Sequence, residues 1–303
     1  MTFFKTDEQL KTLGTSIIEA TRREFPQLGP EQLALTWIIY ERSPTSETGS
    51  NLIKGMSDRG DERIYPASIV KLFYLVAYHQ WLEKGMLKTS PELERAVKDM
   101  IVDSSNDATS LVVDALTGTT SGPELPSGPF QTWKYQRNLV NRYFQSLKWP
   151  ELEKINVNQK TWCEGPYGRE RAFLGEIFEN RNMLTAEATA RLLHSIISGQ
   201  AVSSSASQAM MELMKRSLDP EALAADPENQ VRGFLGEGLP QSAKLWSKAG
   251  FTSQVRHDAA YIELPDLYPY LFVVFMEGRA NSNNQEILPF ISRQFVKTME
   301  NQL

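Results

Sequence analysis

The chain has 303 residues, enough for one large domain or two intertwined ones at about 100–200 residues per domain. Hydrophobic residues make up 41% and charged residues 23%, which excludes disordered, collagen-like and fibrous proteins. The net charge of −5, without a dense basic run, argues against a nucleic-acid partner. One cysteine, Cys163, and three scattered histidines predict no internal disulfide, no metal site and no cofactor.

The N-terminus reads MTFFKTDEQLKTLG and lacks the apolar stretch of about 7–15 residues that a signal peptide needs. No segment reaches the roughly 18 uninterrupted apolar residues of a membrane span. As written, the chain is expected to be cytoplasmic, without a membrane partner. It would be periplasmic or secreted if a leader has been removed.

The first sixty residues predict one helix followed by strands. Leucine and isoleucine at helical spacing predict a helix over 7–25, with acidic residues at its start. The β-branched and aromatic run 33–40 predicts a buried strand. Residues 43–60 are rich in Ser, Thr, Gly and Asp, which predicts a hairpin loop around a short strand near Leu52-Ile53.

The middle of the chain is predicted to be helical. Residues 67–82 contain neither Gly nor Pro and are strongly apolar, as is typical of a buried helix. Further helices are predicted over 90–100, 107–116, 133–147, 185–199 and 205–217. Residues 117–129 are predicted to form a loop. The stretch 148–184 has no clear period, and irregular loops of that length are usually functional.

The last third predicts strands again. Three short strands are expected over 243–249, 258–264 and 270–276, followed by a helix over 284–302. Strands at both chain ends then join one sheet, with the helical segment between them.

Ser68 and Lys71 lie at the start of the predicted buried helix, on the same face and one turn apart. A serine there lies at the positive end of the helix dipole. Burial would lower the pKa of the lysine, which could then accept the serine proton. The alternative is a capping serine beside a lysine that reaches solvent. Among the lysines of the chain, only Lys71 has a serine three positions before it.

Two further motifs follow. Ser104-Ser105-Asn106 lies between two predicted helices, where it could relay a proton and hold a substrate carbonyl. The alternative is a helix-capping cluster, and Ser282-Asn283-Asn284 has the same pattern. Lys248-Ala249-Gly250 ends a predicted strand, where a substrate carboxylate could lie beside the ammonium. The alternative is an edge-strand lysine before a turn.

In this order the three motifs resemble those of the class A β-lactamases and penicillin-binding proteins. The resemblance implies an α/β two-domain β-lactamase-like fold. An antiparallel sheet from residues 1–60 and 230–303 would be flanked by the terminal helices, and residues 61–229 would form an all-helical insert domain. The active site would lie in the groove between the two domains.

The resemblance also implies roles for individual residues. Ser68 would be the acylated nucleophile and Lys71 its general base. Ser104 would carry a proton to the leaving nitrogen, with electrostatic support from Lys248. Asn106 would hold the substrate side chain.

Along the late strand, the resemblance places Ala249 and Gly250 beside the substrate. The oxyanion hole would be formed by the backbone N–H groups of Ser68 and Phe251. Thr252 and Arg256 are candidates for binding the substrate carboxylate.

The sequence departs from the family pattern at three places. Ala249 replaces a hydroxyl residue, and Ser105 replaces an aspartate. The string Glu-x-x-Leu-Asn, whose Glu activates the deacylating water in class A enzymes, does not occur. Glu170 lies nearest that place, with Glu164 and Glu176 as rivals, and a solvated loop carboxylate is the alternative for each.

The expected function is that of a serine acyl hydrolase acting on a β-lactam or a related amide or ester, a small-molecule substrate. We expect the protein to be a monomer. A D-Ala peptidase or esterase with poor β-lactam turnover, and a non-catalytic binding homologue, are the alternatives. Cys163 is interpreted as a small buried side chain, and His257 as an ordinary strand-end histidine.

Overall fold

The computed structural model describes residues 3–44 and 53–302. Within these residues, seven strands form one sheet: β1 (Lys5–Thr6), β2 (Leu33–Tyr40), β3 (Ile53–Asp58), β4 (Lys215–Arg216), β5 (Lys244–Thr252), β6 (Val255–Glu263) and β7 (Tyr270–Glu277). Their order is β1-β3-β2-β7-β6-β5-β4, and every pair is antiparallel except β1 with β3. The predicted mostly antiparallel sheet is confirmed, although its edge strand β4 comes from the segment that was predicted to be all-helical.

Helices cover both faces of this sheet. In the described part of the chain they are α1 (Glu8–Glu24), α2 (Lys71–Glu83), α3 (Pro91–Val102), α4 (Asn106–Thr117), α5 (Ser127–Arg137), α6 (Leu139–Ser146), α7 (Gly168–Leu174), α8 (Ala186–Ile197), α9 (Ser204–Met214), α10 (Pro220–Ala225), α11 (Arg279–Asn283) and α12 (Ile287–Gln302). None of the helices described here is long and apolar enough to cross a membrane.

Strand β2 shows how the sheet separates two hydrophobic cores. Its residues alternate between the two faces, because successive side chains of a strand point in opposite directions. Leu35 and Trp37 belong to the core shared with the terminal helices α1 and α12, whereas Ile38 and Tyr40 belong to the core shared with the central helices. The Trp37 ring meets the Phe295 ring of α12 edge to face at 4.6 Å. The sheet thus contributes residues to both cores.

Helix α2 lies at the centre of the helical part and contacts α3, α4, α6, α8 and α9. Its first eight residues are all buried, which explains why the sequence shows no polar face there. Lys71 is the one ionisable ammonium in that buried stretch, and it is fully buried. Burying a charged side chain costs free energy unless the charge is paired or the group becomes neutral. A lysine at this position is therefore a candidate for a functional residue.

Several element boundaries differ from the sequence predictions. The predicted helix 67–82 begins as a 3-10 turn over Ala67–Val70, before α2. The predicted helix 133–147 is two helices, α5 and α6, of which α5 starts inside the predicted loop 117–129. Strand β6 starts at Val255, earlier than the predicted start at Asp258. Of the predicted hairpin loop 43–60, residues 45–52 lie outside the described residues, and β3 begins at Ile53.

Candidate active site

Ser68 lies in the 3-10 turn that precedes α2, and strand β5 packs directly against this turn. Gly250 makes that approach possible. A Cβ atom at Gly250 would lie 2.8 Å from the carbonyl oxygen of Pro66 and 3.2 Å from the amide nitrogen of Ile69. Both neighbours are backbone atoms that cannot move aside, so any side chain here would push the strand away from the turn. The glycine of Lys-x-Gly therefore brings β5 beside Ser68.

The backbone is strained on both sides of the groove. Ala67, which precedes Ser68, has a φ of 46°, and Ser104 has a φ of 56°. Residues with a Cβ rarely adopt this left-handed conformation, and such strain is found most often at functional sites. Ser104 occupies the short break between α3 and α4, where the strain turns its side chain and carbonyl towards Lys71.

His257 anchors the Ser68 turn from behind. Its Nε2 donates to the carbonyl oxygen of Tyr65 at 2.9 Å, and its Nδ1 accepts from the backbone N–H of Met276 at 3.0 Å. These bonds require the neutral ring with its proton on Nε2. Complete burial lowers the pKa of His257 to about 4, which keeps the ring neutral. The residue lies inside β6 and not at a strand end as predicted.

Lys71 reaches the break between α3 and α4. Its Nζ donates to the carbonyl oxygen of Ser104, to Oγ of Ser104 at 3.2 Å and to Oδ1 of Asn106 at 2.9 Å. Burial lowers the pKa of Lys71 to about 7, and the nearby Cys163 partly opposes that shift. A substantial fraction of this amine is therefore neutral near pH 7 and able to accept a proton.

Lys248 approaches Ser104 from the sheet side. Its Nζ donates to Oγ of Ser104 at 2.8 Å, to the carbonyl oxygen of the neighbouring Ala249 at 2.9 Å, and to Oε1 of Gln230. Burial, with the charges of Lys71 and Arg216, lowers the pKa of Lys248 well below its ordinary value. The Ser104 hydroxyl thus connects the two lysines.

A groove of about 450 Å³ opens above this chain of hydrogen bonds. Its lining includes six of the residues predicted from the sequence: Ser68, Ser104, Asn106, Ala249, Phe251 and Arg256. The rest of the lining was not predicted: Asp103, Pro227, Glu228, Asn229, Gln230, Arg232, Phe234 and Gln285. The groove lies between the helical part and the sheet, where the resemblance implied an active site.

Arg256 forms part of one wall of the groove. Its guanidinium lies between the rings of Phe234 and Phe251, 4.9 and 4.5 Å from their centroids. Its Nε donates to the carbonyl oxygen of Ser282 at 2.7 Å, and its Nη1 donates to that of Gly233 at 3.2 Å. These contacts fix the Arg256 guanidinium at the groove.

Thr252 is not brought into the groove lining. It ends β5, and its hydroxyl accepts from the backbone N–H of Gln254 at 3.2 Å. The residue therefore shapes the turn between β5 and β6. The contact of Thr252 with a substrate carboxylate stays a prediction.

Glu170 requires a correction. Its carboxylate is fully buried and accepts from Nη2 of Arg137 at 2.6 Å and from Oγ of Ser121 at 2.9 Å. Lys160 lies 3.7 Å away, and both Arg137 and Lys160 also pair with Asp114. Glu170 is thus an anchor of α7 inside an ion cluster and not a groove carboxylate. Its rivals Glu164 and Glu176 are exposed and do not line the groove either.

Cys163, from the irregular loop, lies beside Asn106 and Lys71. Nδ2 of Asn106 donates to its Sγ at 3.3 Å, and the thiol is close enough to Lys71 to influence the pKa of that lysine. The side chain is exposed, which corrects the prediction of a small buried cysteine. An irregular loop without periodicity gave no signal that this residue would return to the site.

The sequence profile of the β-lactamase enzyme family matches residues 88–299, most of the chain. The chain therefore belongs to the β-lactamase enzyme family. Ser68 and Lys71 precede the matched range, whereas Ser104, Asn106 and Lys248 lie within it. No curated protein sequence matches the chain.

Solved structures share the fold at low identity. A β-lactamase from Sphaerobacter thermophilus is 17% identical, with a TM-score of 0.64 over 94% of this chain and 97% of that one. A β-lactamase from Xanthomonas campestris is 15% identical, with a TM-score of 0.62 over 95% and 98%. A point mutant of PBP-A, solved as an acyl-enzyme complex with penicillin G, is 17% identical, with a TM-score of 0.65 over 96% and 97%. The β-lactamase-like two-domain fold is confirmed.

Proposed function

We propose that this protein is a serine acyl hydrolase of the β-lactamase type, in which Ser68 is acylated by a β-lactam or a related amide or ester. The observation that carries the proposal is the hydrogen-bonded series Lys71, Ser104 and Lys248, which lies under the groove that Ser68 lines. These residues supply an acceptor for the serine proton and a donor for the leaving group.

Lys71 is arranged to act as the base. In its neutral form the amine has two hydrogens and one lone pair. The carbonyl oxygen of Ser104 and Oδ1 of Asn106 can only accept, so they take both hydrogens. The lone pair then remains available for the Ser68 proton, which leaves as Oγ attacks the acyl carbon.

Ser104 completes the proton balance. The bond between Ser68 Oγ and the acyl carbon forms while the bond from that carbon to the leaving nitrogen or oxygen breaks. The proton taken by Lys71 passes to Oγ of Ser104, 3.2 Å away, as the Ser104 proton moves to the leaving atom. No proton is gained or lost overall, and Lys71 returns to its neutral form.

Phe251 supplies a backbone donor on the correct edge of β5. The N–H of Ala249 points away from β6, because it donates to Oε1 of Gln230 at 3.2 Å. Successive N–H groups of a strand alternate between its two edges, so the N–H of Phe251 shares this edge. Together with the N–H of Ser68 in the first turn before α2, it would bind the developing oxyanion. Arg256 would hold a substrate carboxylate at the same end of the groove.

A second candidate function is favoured by one observation. Cys163, and not a carboxylate, contacts Asn106 beside Lys71. A carboxylate is the usual general base for a deacylating water, and with a cysteine at this position the acyl-enzyme would be long-lived. The protein would then act as a peptidase-like or esterase-like member, or as a binding homologue, with poor β-lactam turnover.

The test is intact mass spectrometry over time after mixing the protein with benzylpenicillin. Ser68→Ala removes the nucleophile, and Ser253→Ala, in the exposed turn between β5 and β6, is the matched serine control. The wild type and Ser253→Ala should gain one penicilloyl mass, and Ser68→Ala should gain none.

The adduct's lifetime separates the two candidates. Rapid return to the unmodified mass, with hydrolysed drug in solution, supports the β-lactamase. A persistent adduct supports the second candidate. An unmodified wild-type protein with intact drug in solution, or an adduct that survives Ser68→Ala, contradicts acylation at Ser68.

A further inference from the structure

Two side chains bind the same pair of carbonyl groups at the end of α3. Nε2 of Gln230 donates to the carbonyl oxygen of Ile101 at 3.0 Å and to that of Val102 at 2.7 Å. The guanidinium of Arg216 donates to the same two oxygens, at 2.9 and 3.2 Å. The last carbonyl groups of a helix have no partner within the helix, so these donors satisfy them. Ser104 lies two residues after this helix end.

The other ends of both side chains bind β5. Oε1 of Gln230 accepts from Nζ of Lys248 and from the N–H of Ala249. Nε and Nη2 of Arg216 donate to the carbonyl oxygen of Ser247 at 3.2 and 3.0 Å. Gln230 and Arg216, here called the α3–β5 brace, therefore connect the end of α3 with residues 247–249.

The brace lies beside the contact between Ser104 and Lys248. Ser104 belongs to the segment that follows α3, and Lys248 belongs to β5. Their 2.8 Å contact crosses from one part of the fold to the other. A displacement of about 1 Å between groups that exchange a proton can lower a rate by about 10²-fold. An amide is suited to this position, because one end donates to carbonyls and the other accepts from an ammonium and an N–H.

We propose that Gln230 is a positioning residue that holds the Ser104 hydroxyl and the Lys248 ammonium at bonding distance, with Arg216 as its partner in the brace. This inference rests on the proposed function, because the positioned groups are those of the proposed proton transfer. Gln230 itself contacts neither proton that moves.

The charged groups around Lys248 determine how a substitution of Gln230 will change the pKa of this lysine. Lys71 and Arg216 bring positive charge towards it, and the buried Asp258 brings negative charge. The pKa of Asp258 is raised to about 7 by burial. Gln230 places a neutral acceptor against Lys248 among these groups. A carboxylate in its place would add a negative charge in direct contact with the ammonium.

The first test is kinetic. Gln230→Met keeps the length of the side chain and removes both hydrogen-bonding ends, and Gln208→Met, at an exposed position of α9, is the matched control. Single-turnover acylation by a chromogenic cephalosporin should slow by about tenfold to a hundredfold in Gln230→Met and stay unchanged in the control. Substrate KM should change far less than kcat. A wild-type acylation rate in a folded Gln230→Met overturns the inference.

The second test needs no turnover. In Gln230→Glu the side-chain NMR signal of ¹⁵N-labelled Lys248 should titrate at higher pH than in the wild type, and the pH profile of acylation should shift in the same direction. An unshifted lysine titration contradicts the proposed contact, whether or not the protein is active. If wild-type Ser68 is never acylated but the titration of Lys248 moves to higher pH in Gln230→Glu, the proposed function fails. The contact between Gln230 and Lys248 is then still supported.

Discussion

Lys71 and Lys248 donate to the same oxygen, Oγ of Ser104, at 3.2 and 2.8 Å. A hydroxyl oxygen has two lone pairs, and once Lys71 carries the Ser68 proton its ammonium and that of Lys248 occupy both. The hydroxyl hydrogen must then point elsewhere, and the groove is the open direction because Ser104 lines it. Two lysines on one acceptor thus turn a serine into a donor aimed at the bound substrate.

Lys71 predicts a specific pH dependence. Its pKa of about 7 lies below its ordinary value because the side chain is buried, and only the neutral amine accepts a proton. Acylation should therefore accelerate as pH rises through about 7. Lys71→Arg, which stays charged, should lose about 10²–10⁴-fold in acylation rate, and Lys98→Arg on the exposed face of α3 should not. Stopped-flow acylation from mildly acidic to mildly alkaline pH measures this, and a flat profile would refute it.

The histidines predict loss of stability in acid. Burial lowers the pKa of His79, His194 and His257 to about 4, below the ordinary value of 6.5. The unfolded chain therefore binds more protons, so stability is fully present above pH 6.5 and is lost as pH falls towards 4. A fully buried ring such as His257 contributes about 2 kcal/mol of this loss at about pH 5.

His257→Gln separates the contribution of His257 to acid sensitivity from the contributions of His79 and His194. Glutamine can donate to Tyr65 and accept from Met276, but it does not titrate. Its Tm should fall less than that of the wild type when the pH is lowered from about 7 to about 5. Equal slopes for the two proteins would show that His257 is not the group responsible.

Glu170→Gln should affect folding and not chemistry. The substitution removes the charge that pairs with Arg137 inside a buried cluster, which typically costs about 3–5 kcal/mol. The Tm should fall by several degrees, while the lifetime of the penicilloyl adduct stays the same. Differential scanning calorimetry and mass spectrometry on one sample measure both. A normal Tm together with a longer adduct lifetime would indicate that Glu170 is the general base in deacylation.

Gly250→Ala should separate β5 from the Ser68 turn. The added methyl would meet the carbonyl of Pro66 at 2.8 Å, so acylation and Tm should both fall. Gly128→Ala is the matched control, because its Cβ meets nothing within 4 Å and it lies in α5. There alanine should leave acylation unchanged and raise stability by about 0.5–1 kcal/mol. Equal behaviour of the two variants would contradict the packing argument.

Iodoacetamide should report the position of Cys163. The thiol is exposed and contacts Asn106 at the groove, so the added group should obstruct the substrate. Treated wild type should acylate at least about tenfold more slowly, in line with misplaced substrate geometry. Cys163→Ala should be insensitive to the reagent. If labelled wild type acylates normally, Cys163 lies away from the substrate path.

The regular parts of the fold were accessible from the sequence because buried elements are continuous apolar runs. The runs of α2 and β2 mark elements that are buried on every face. Ser68 and Lys71 lie just before and at the start of α2 and Ser104 lies just before α4, so their motifs could be found beside the ends of predicted helices. Lys248 was expected at a strand end but lies in the middle of β5, and only its spacing to Gly250 identified it.

The irregular loop behaved differently. The sequence around Glu170 and Cys163 shows no pattern that distinguishes them. In the fold, the Glu170 side chain points into a buried ion cluster and that of Cys163 points towards Asn106. Gln230 was missed for a similar reason. Its role depends on three segments distant in sequence, and a single glutamine before a turn carries no pattern.

The strand order has a consequence for how the protein is made. β7, the last strand along the chain, lies between β2 and β6 in the middle of the sheet. During synthesis, the edge of β2 that pairs with β7 stays unpaired until almost the whole chain has been made. Such long-range pairing is slow and leaves strand edges open to other chains. Ser104 is thus synthesised early but meets Lys248 only after β5 has been made, so incomplete chains lack this hydrogen bond.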